Sequence, residues 1–393
     1  MAFRKRNVPL SRTEQKPGSP SVPASTEPSS AEVPQAITGV RPSPLDGRPT
    51  TSTGTPSLDA ILAGHAGLPL GNSIFIGEQG TTDYAGALLR FYAAEGVVQG
   101  HRVHVVGMGE AWGRELPGLS EKDESGRKIK TSAEEEKMKI AWRYESLSVH
   151  GAERGERFKH AGTSLSGKTG EDQAIFCHTF DLAKRLMLPV GTAINYIPIA
   201  PQRNPFPSIL QNLQNDLAST PPNTIHRLVI PSLLSPAIYP PISTRPDCVL
   251  QFLHGLRALL RLHPTQLTAI ITFPLTLYPR STGLVRWMEI LSDGVMELSP
   301  FPYDYAQVLS AATKEEDKPQ GIFAVHKLPV YSEKGGGGNV EGLGEDLAFT
   351  LSRRKFTVTK FSLPPAEGDT EAQEEAARGS GATPMPKKED LDF

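Results

Sequence analysis

Apolar residues along the chain fall into two kinds of pattern. Short β-branched runs predict buried strands at NSIFIG (72–77), RVHVVG (102–107), AINYI (193–197), HRLVI (226–230) and TAIITF (268–273). Between them, helical spacing predicts core-facing stripes. One joins Tyr84, Leu88, Phe91 and Tyr92, and another Phe176, Phe180, Ala183 and Met187. Ile209, Leu213 and Leu217 form a third, and Val249, Leu253, Leu256 and Leu260 a fourth. Buried strands alternating with amphipathic helices predict an α/β fold with a mostly parallel twisted sheet and helices on both faces. After residue 292 the helices drop out. GVMELSPF (294–301), GIFAVHKLPV (321–330) and DLAFTLSRRKFTVTKFSL (346–363) read as strands that continue the sheet as an antiparallel extension.

The rest of the chain has neither period. Residues 1–50 scatter nine prolines from Pro9 to Pro49 among Ser and Thr, the composition of a disordered tail. Gly113–Gly170 carries charges of both signs and reads as an insertion, with one helix around Ala133–Tyr144. Residues 314–320, the tract Gly335–Gly338 and the tail 365–393 read as loops or disorder. The expected organisation is one domain over 51–364, with a charged insertion at about 113–170.

Charge and cysteine content narrow the function. Lys+Arg 41 against Asp+Glu 43 leaves a net charge of −2, which excludes a globally basic nucleic-acid binder. Any RNA contact must come from a local patch. Cys177 and Cys248 cannot build a disulfide framework, which points to a reducing compartment, cytosol or nucleus. No apolar run is long enough for a membrane helix. The basic opening MAFRKRNVPLSR has no apolar stretch behind it, so it reads as a solvated tail and not a secretory signal.

The first strand carries the most informative residues. It is followed by GEQGTTDY and then a helix, the strand–loop–helix layout of a phosphate loop. Such a loop needs G-x-x-x-x-G-K-[ST], so that backbone N–H groups cradle phosphate, Lys reaches its outer oxygens and the hydroxyl holds Mg²⁺. With Gly77 first and Gly80 and Thr81 inside the loop, Thr82 stands at the second Gly, Asp83 at the Lys and Tyr84 at the Ser/Thr. Asp83 reverses the sign of the key charge and would supply the site's own anion. A carboxylate within about 4 Å of another anion costs ~4 kcal/mol at an effective dielectric of 20. The strand HRLVI is followed by Pro231, where a metal-holding Asp would be expected. The loop is thus a phosphate loop by layout that lacks two parts of its chemistry.

A second segment, GTSLSGKT (162–169), fits the phosphate-loop pattern in full. Charged ERGERFKHA precedes it in place of a buried strand, so it is read as a chance match. GMGEAWG (107–113) has the wrong glycine spacing for a dinucleotide site. The histidines form no H-x-x-x-H pair, and no metal centre is expected. Cys177 and His178 are adjacent and would diverge on a helix, which argues against a catalytic dyad.

The segments GEQGTTDYAGALLRFYAAEG, CHTFDLAKR (177–185), HRLVIPSLLSP (226–236), SDGVMELSPF (292–301) and GIFAVHKLP (321–329), in that order, resemble the Elongator complex protein 4 family. The resemblance covers roughly Gly54–Pro364 apart from the insertion. It implies a RecA-like fold and assembly with Elongator subunits 5 and 6 into a hetero-hexameric ring. That ring docks on the catalytic Elongator subunits, binds tRNA and supports modification of the wobble uridine, in cytoplasm and nucleus. ATP hydrolysis is attributed to the ring although the family's phosphate loop is degenerate. The expectation is therefore a non-catalytic subunit without a cofactor of its own, and with ATP, if anywhere, at ring interfaces. The alternative is an ATPase whose site lies between subunits and controls tRNA release, with Glu110 placed to activate water. A third reading is a scaffold whose neighbours alone hold RNA.

In a RecA-like ring two loops would face the pore, 231–246 and 277–286. They carry Arg245, Arg280 and Arg286 with Tyr239 and Tyr278 nearby. Arginine on phosphate with aromatic stacking suits single-stranded or loop RNA, and the same side chains would equally serve as solvated loop charges.

Overall fold

The computed structural model describes residues 37–120 except 63, 175–188, 192, 194–302, 318–329 and 347–361. In chain order, β1 (Val40–Pro42) and β2 (Pro49–Thr51) precede α1 (Pro56–Ile61) and β3 (Leu68–Pro69). Next come β4 (Ser73–Glu78), α2 (Tyr84–Val98), β5 (Arg102–Val106), α3 (Glu110–Arg114) and β6 (Pro117–Leu119). After the insertion follow β7 (Phe180–Arg185), β8 (Ile194–Ile197), α4 (Phe206–Ser219), β9 (His226–Ile230), α5 (Pro246–Leu262), β10 (Leu267–Pro274) and α6 (Gly283–Leu291). The chain closes with β11 (Gly294–Pro300), β12 (Gly321–Lys327), β13 (Leu347–Leu351) and β14 (Phe356–Lys360).

Nine strands form the main sheet in the order β14-β13-β12-β11-β4-β10-β9-β5-β8. From β11 to β8 every neighbouring pair is parallel. From β11 to β14 every pair is antiparallel. The α/β class, the mostly parallel sheet and the antiparallel extension all agree with the sequence pattern.

Alternation along the strands sends side chains to two separate cores. Ile74, Ile76, Val103, Val105, Val229 and Ile270 face the side covered by α1 and α2. Phe75, Val106, Leu228, Ile230, Ala269 and Ile271 face α4, α5 and α6. The central strands are buried on both faces, so their sequences are continuous apolar runs. α4 and α5 bury the stripes that their spacing predicts: Ile209, Leu213 and Leu217, and Val249, Leu253, Leu256 and Leu260. α2 is buried nearly all round, which its Ala and Gly content permits. At Gly96 an added Cβ would sit 2.6 Å from the Arg227 side chain, so this position lets the helix close on β9.

Two expectations are corrected. Phe176, Phe180, Ala183 and Met187 do not share a helix. Phe180–Arg185 is a strand paired antiparallel with β6. The chain enters it already extended, because the His178 N–H donates to Glu95 Oε2 at 3.0 Å and the Ser120 N–H donates to the Thr179 carbonyl at 2.9 Å. A ladder therefore forms where a 3–4 spacing suggested a helix. The unstructured tail does not reach residue 50 either. β1 and β2 form a small antiparallel sheet with β3. Thr50, Thr51 and Ser52 are fully buried, because hydroxyls bonded to backbone and to Arg227 replace apolar packing there. The helix expected at 133–144 lies outside the described residues.

Candidate functional site

β4 ends in the middle of the sheet, and its last residue decides the chemistry of the loop that follows. Glu78 points back across the loop to the start of α2. Its Oε1 accepts from Thr82 Oγ1 at 2.7 Å and from the Tyr84 N–H at 2.9 Å. Its Oε2 accepts from the Ala85 N–H at 2.9 Å. These are first-turn donors of a 15-residue helix, the groups that in a phosphate loop would hold an oxyanion. The carboxylate is 7 % exposed, and burial raises its pKa above the ordinary glutamate value, while the three hydrogen bonds pull the other way.

The loop is fastened at its crown as well. Gly80 has φ +82°, a conformation that glycine adopts without strain. Its N–H donates to Thr276 Oγ1 at 2.7 Å, and Thr276 Oγ1 donates back to the Gly80 carbonyl at 2.9 Å. The Gln79 N–H bonds the Leu298 carbonyl. Beside the loop lies a cavity of about 50 Å³, lined by Glu78, Thr82, Ala85, Ser232 and Thr272 among others. Small-ligand sites span about 300–1,000 Å³. A nucleotide triphosphate does not fit this loop: its donors are engaged, its space is small, and no described cation faces it.

The internal anion is therefore Glu78, not Asp83. Asp83 stands at the N-cap of α2 but makes no side-chain cap hydrogen bond. Its carboxylate turns outward to Arg90 Nη1 at 3.1 Å and is 63 % exposed. Sequence reasoning missed Glu78, although an acidic residue directly after the first Gly of a phosphate-type loop was the available signal. Gly80, Thr81 and Thr82 lie in the loop as expected, whereas Gly77 is still within β4, paired with Phe273 and Glu297.

The metal side follows the sequence: β9 ends at Ile230 and Pro231 follows. The Ser232 N–H donates to Thr272 Oγ1 and the Leu233 N–H to the Thr272 carbonyl, which ties this turn to β10. Glu110 opens α3 after β5. Two strands, β10 and β9, separate β5 from β4, a displacement of roughly 14 Å at ~4.8 Å per strand. Its carboxylate meets Arg114 at 3.3 Å and is 77 % exposed.

The RNA candidates divide. Tyr239 is buried, and Tyr278 donates its hydroxyl to the Leu234 carbonyl at 3.2 Å and packs on Phe273. Neither ring stands free for stacking. Arg245 pairs with Asp247 at 2.9 Å on the surface. Arg280 is held by Glu289 and by the His326 ring. Arg286 is exposed, and among the described residues no ion pair or hydrogen bond engages its guanidinium. Cys177 and His178 form no dyad: His178 Nδ1 lies 3.0 Å from Glu95 Oε1, and burial pushes the Cys177 thiol pKa up. GTSLSGKT lies outside the described residues.

Fold and loop together define an α/β protein of phosphate-loop design whose anion cradle is filled from within. Residues 33–393 match the family model described as PAXNEB protein, and the chain belongs to that family. Its relatives include Elongator complex protein 4 of Schizosaccharomyces pombe, 33 % identical over 346 residues that span 84 % of this chain and 90 % of that protein. The Homo sapiens Elongator complex protein 4 is 30 % identical over 371 residues, 85 % of this chain and 81 % of that protein. The Saccharomyces cerevisiae protein of the same name is 28 % identical over 374 residues, 86 % and 78 %. The family resemblance drawn from the separated motifs is borne out.

Proposed function

We propose that this chain is a subunit of the Elongator complex and acts there as an architectural, non-catalytic part. Similarity to Elongator complex protein 4 across most of both chains supports membership. The observation that carries the non-catalytic reading is the Glu78 carboxylate seated on the first turn of α2. In this reading the RecA-like domain joins Elongator subunits 5 and 6 in a hetero-hexameric ring. The ring docks on the catalytic subunits, binds tRNA and supports wobble-uridine modification, in cytoplasm and nucleus. This chain needs no cofactor for that role.

The test is reconstitution with Elongator subunits 5 and 6. The chain is expected to enter a six-membered assembly that retains tRNA, while the isolated chain does not turn over Mg–ATP. Turnover by the isolated chain refutes the reading.

One observation favours a second reading, in which the ring hydrolyses ATP between subunits to control tRNA release. Glu110 is largely exposed, with Arg114 as its ion-pair partner, so a neighbouring subunit could meet it. Under this reading Glu110→Gln abolishes ATP turnover by the ring. Under the first it leaves turnover unchanged.

A further inference from the structure

We propose that the hollow between α6, β11 and β12 is a phosphate-binding pocket for a nucleotide-sized ligand, separate from the filled loop. Its volume is about 410 Å³, within the range of small-ligand sites and several times that beside the loop. Three cations line it, Arg280, Arg286 and Lys327, against the carboxylate of Glu289 in the lining and that of Glu297 behind it, 3.7 Å from Arg280 Nη1. Ile290 and Val295 supply an apolar wall against which a nucleoside can lie.

The cations are placed in different ways. Arg280 is oriented by Glu289, through Nε and through Nη2 at 3.3 Å, and its Nη1 donates to His326 Nδ1 at 3.0 Å. His326 Nε2 in turn donates to Glu297 Oε2 at 2.9 Å. Arg280 Nη1 also lies 2.9 Å from His326 Nε2 and 3.7 Å from Glu297 Oε2, so one Nη2 proton is the one left for a ligand. Lys327 Nζ donates to the Ile290 and Ser292 carbonyls at the end of α6, which uses two of its three protons. Arg286 lies one turn before Ile290 on α6 and offers its whole fork. Two cations fixed by neighbours and a third standing open make a partly preorganised anion site. A planar fork suits phosphate oxygens, and the apolar wall favours a ligand with a body over inorganic phosphate.

The phosphate can belong to a free nucleotide or to one residue of an RNA strand. The RNA source rests on the tRNA-binding reading. The pocket itself does not.

The test is calorimetric titration of the full-length chain at low salt with AMP, with inorganic phosphate and with a short oligouridylate. AMP is expected to bind saturably and more tightly than inorganic phosphate. Arg286→Glu should weaken AMP at least about tenfold, the equivalent of one charge-assisted hydrogen bond. Arg353→Glu, an exposed cation on the β13–β14 turn, should not. Competition between oligouridylate and AMP assigns RNA as the source, and its absence assigns a free nucleotide. The proposal is overturned by no saturable binding of AMP or oligouridylate, or by equal losses in both variants. It is overturned too if a Glu-rich peptide binds where AMP does not, since the hollow then belongs to a protein partner. tRNA binding by the reconstituted ring is measured apart. AMP binding without ring–tRNA binding sinks only the functional reading, and the reverse sinks only the pocket.

Discussion

Three histidines are held neutral inside the fold, and this sets an acid limit on stability. His101 Nδ1 accepts from Arg227 Nε at 3.0 Å while its Nε2 faces the Thr38 carbonyl at 2.9 Å. His104 Nε2 and His226 Nδ1 are 2.9 Å apart, and His226 Nε2 meets Thr220 Oγ1 at 2.8 Å. Burial lowers the pKa from 6.5 to about 3 at His101 and His104 and to about 4 at His226. Below pH 6.5 the unfolded chain takes up protons that the folded chain refuses, so stability is complete above that value and falls as pH drops toward 4 and then 3. Going from pH 7.5 to 5.0 costs about 2 kcal/mol per histidine, at ~1.36 kcal/mol for each pH unit below 6.5. The coupled His104–His226 pair contributes less than twice one site, so the sum is about 4–6 kcal/mol. Asp59 and Glu78, whose pKa values burial raises, act in the opposite sense and shave this loss. Since domains are stable by ~5–15 kcal/mol, the chain should stand close to unfolding at pH 5. Urea titration followed by circular dichroism at the two pH values measures it. A difference under about 1 kcal/mol would refute the neutral-histidine account.

Three other variants have expected outcomes. Glu78→Ala removes the acceptor from two backbone N–H groups and should cost about 2 kcal/mol, or roughly 4–8 °C in Tm. Added inorganic phosphate should raise the Tm of the variant by more than that of the parent. Arg227→Met removes the buried donors to Thr51, Ser52, Tyr92 and His101 and a buried positive charge that acts on Asp59 and Glu95, so thermal scanning should show a loss of about 3–5 kcal/mol. Tyr239→Phe removes a buried hydroxyl that finds no hydrogen-bond partner among the described residues, and urea denaturation should show unchanged or slightly higher stability.

The legible parts of the fold were those where local pattern and tertiary environment agree. HRLVI is a strand over its whole predicted length because both of its faces meet apolar layers. α5 is amphipathic because only one side of it is covered. Legibility failed where long-range polar contacts decide conformation. Phe180–Arg185 became a strand through bonds to segments more than sixty residues away. Thr51, Ser52 and Thr53 are buried through hydroxyls bonded to Arg227 and Asp59, which no apolar period can announce. At the candidate site the loop and the missing cation were readable from Gly77–Asp83. The direction in which Glu78 turns was not, because it depends on α2 lying across the end of β4. Likewise Arg280 looked like a free cation until Glu289 and His326 were seen beside it.

The double clasp between Gly80 and Thr276 also bears on motion. Proteins that cycle with nucleotide order switch segments against the terminal phosphate and release them when it leaves. Here the loop is buttoned to the end of the neighbouring strand, and the acid that plugs it is covalently attached and cannot diffuse away. On the architectural reading proposed above, this end of the sheet carries no fuel gauge. If the chain is the architectural part proposed above, conformational timing in an assembly containing it is set by other members, with this one as the fixed stone against which they turn.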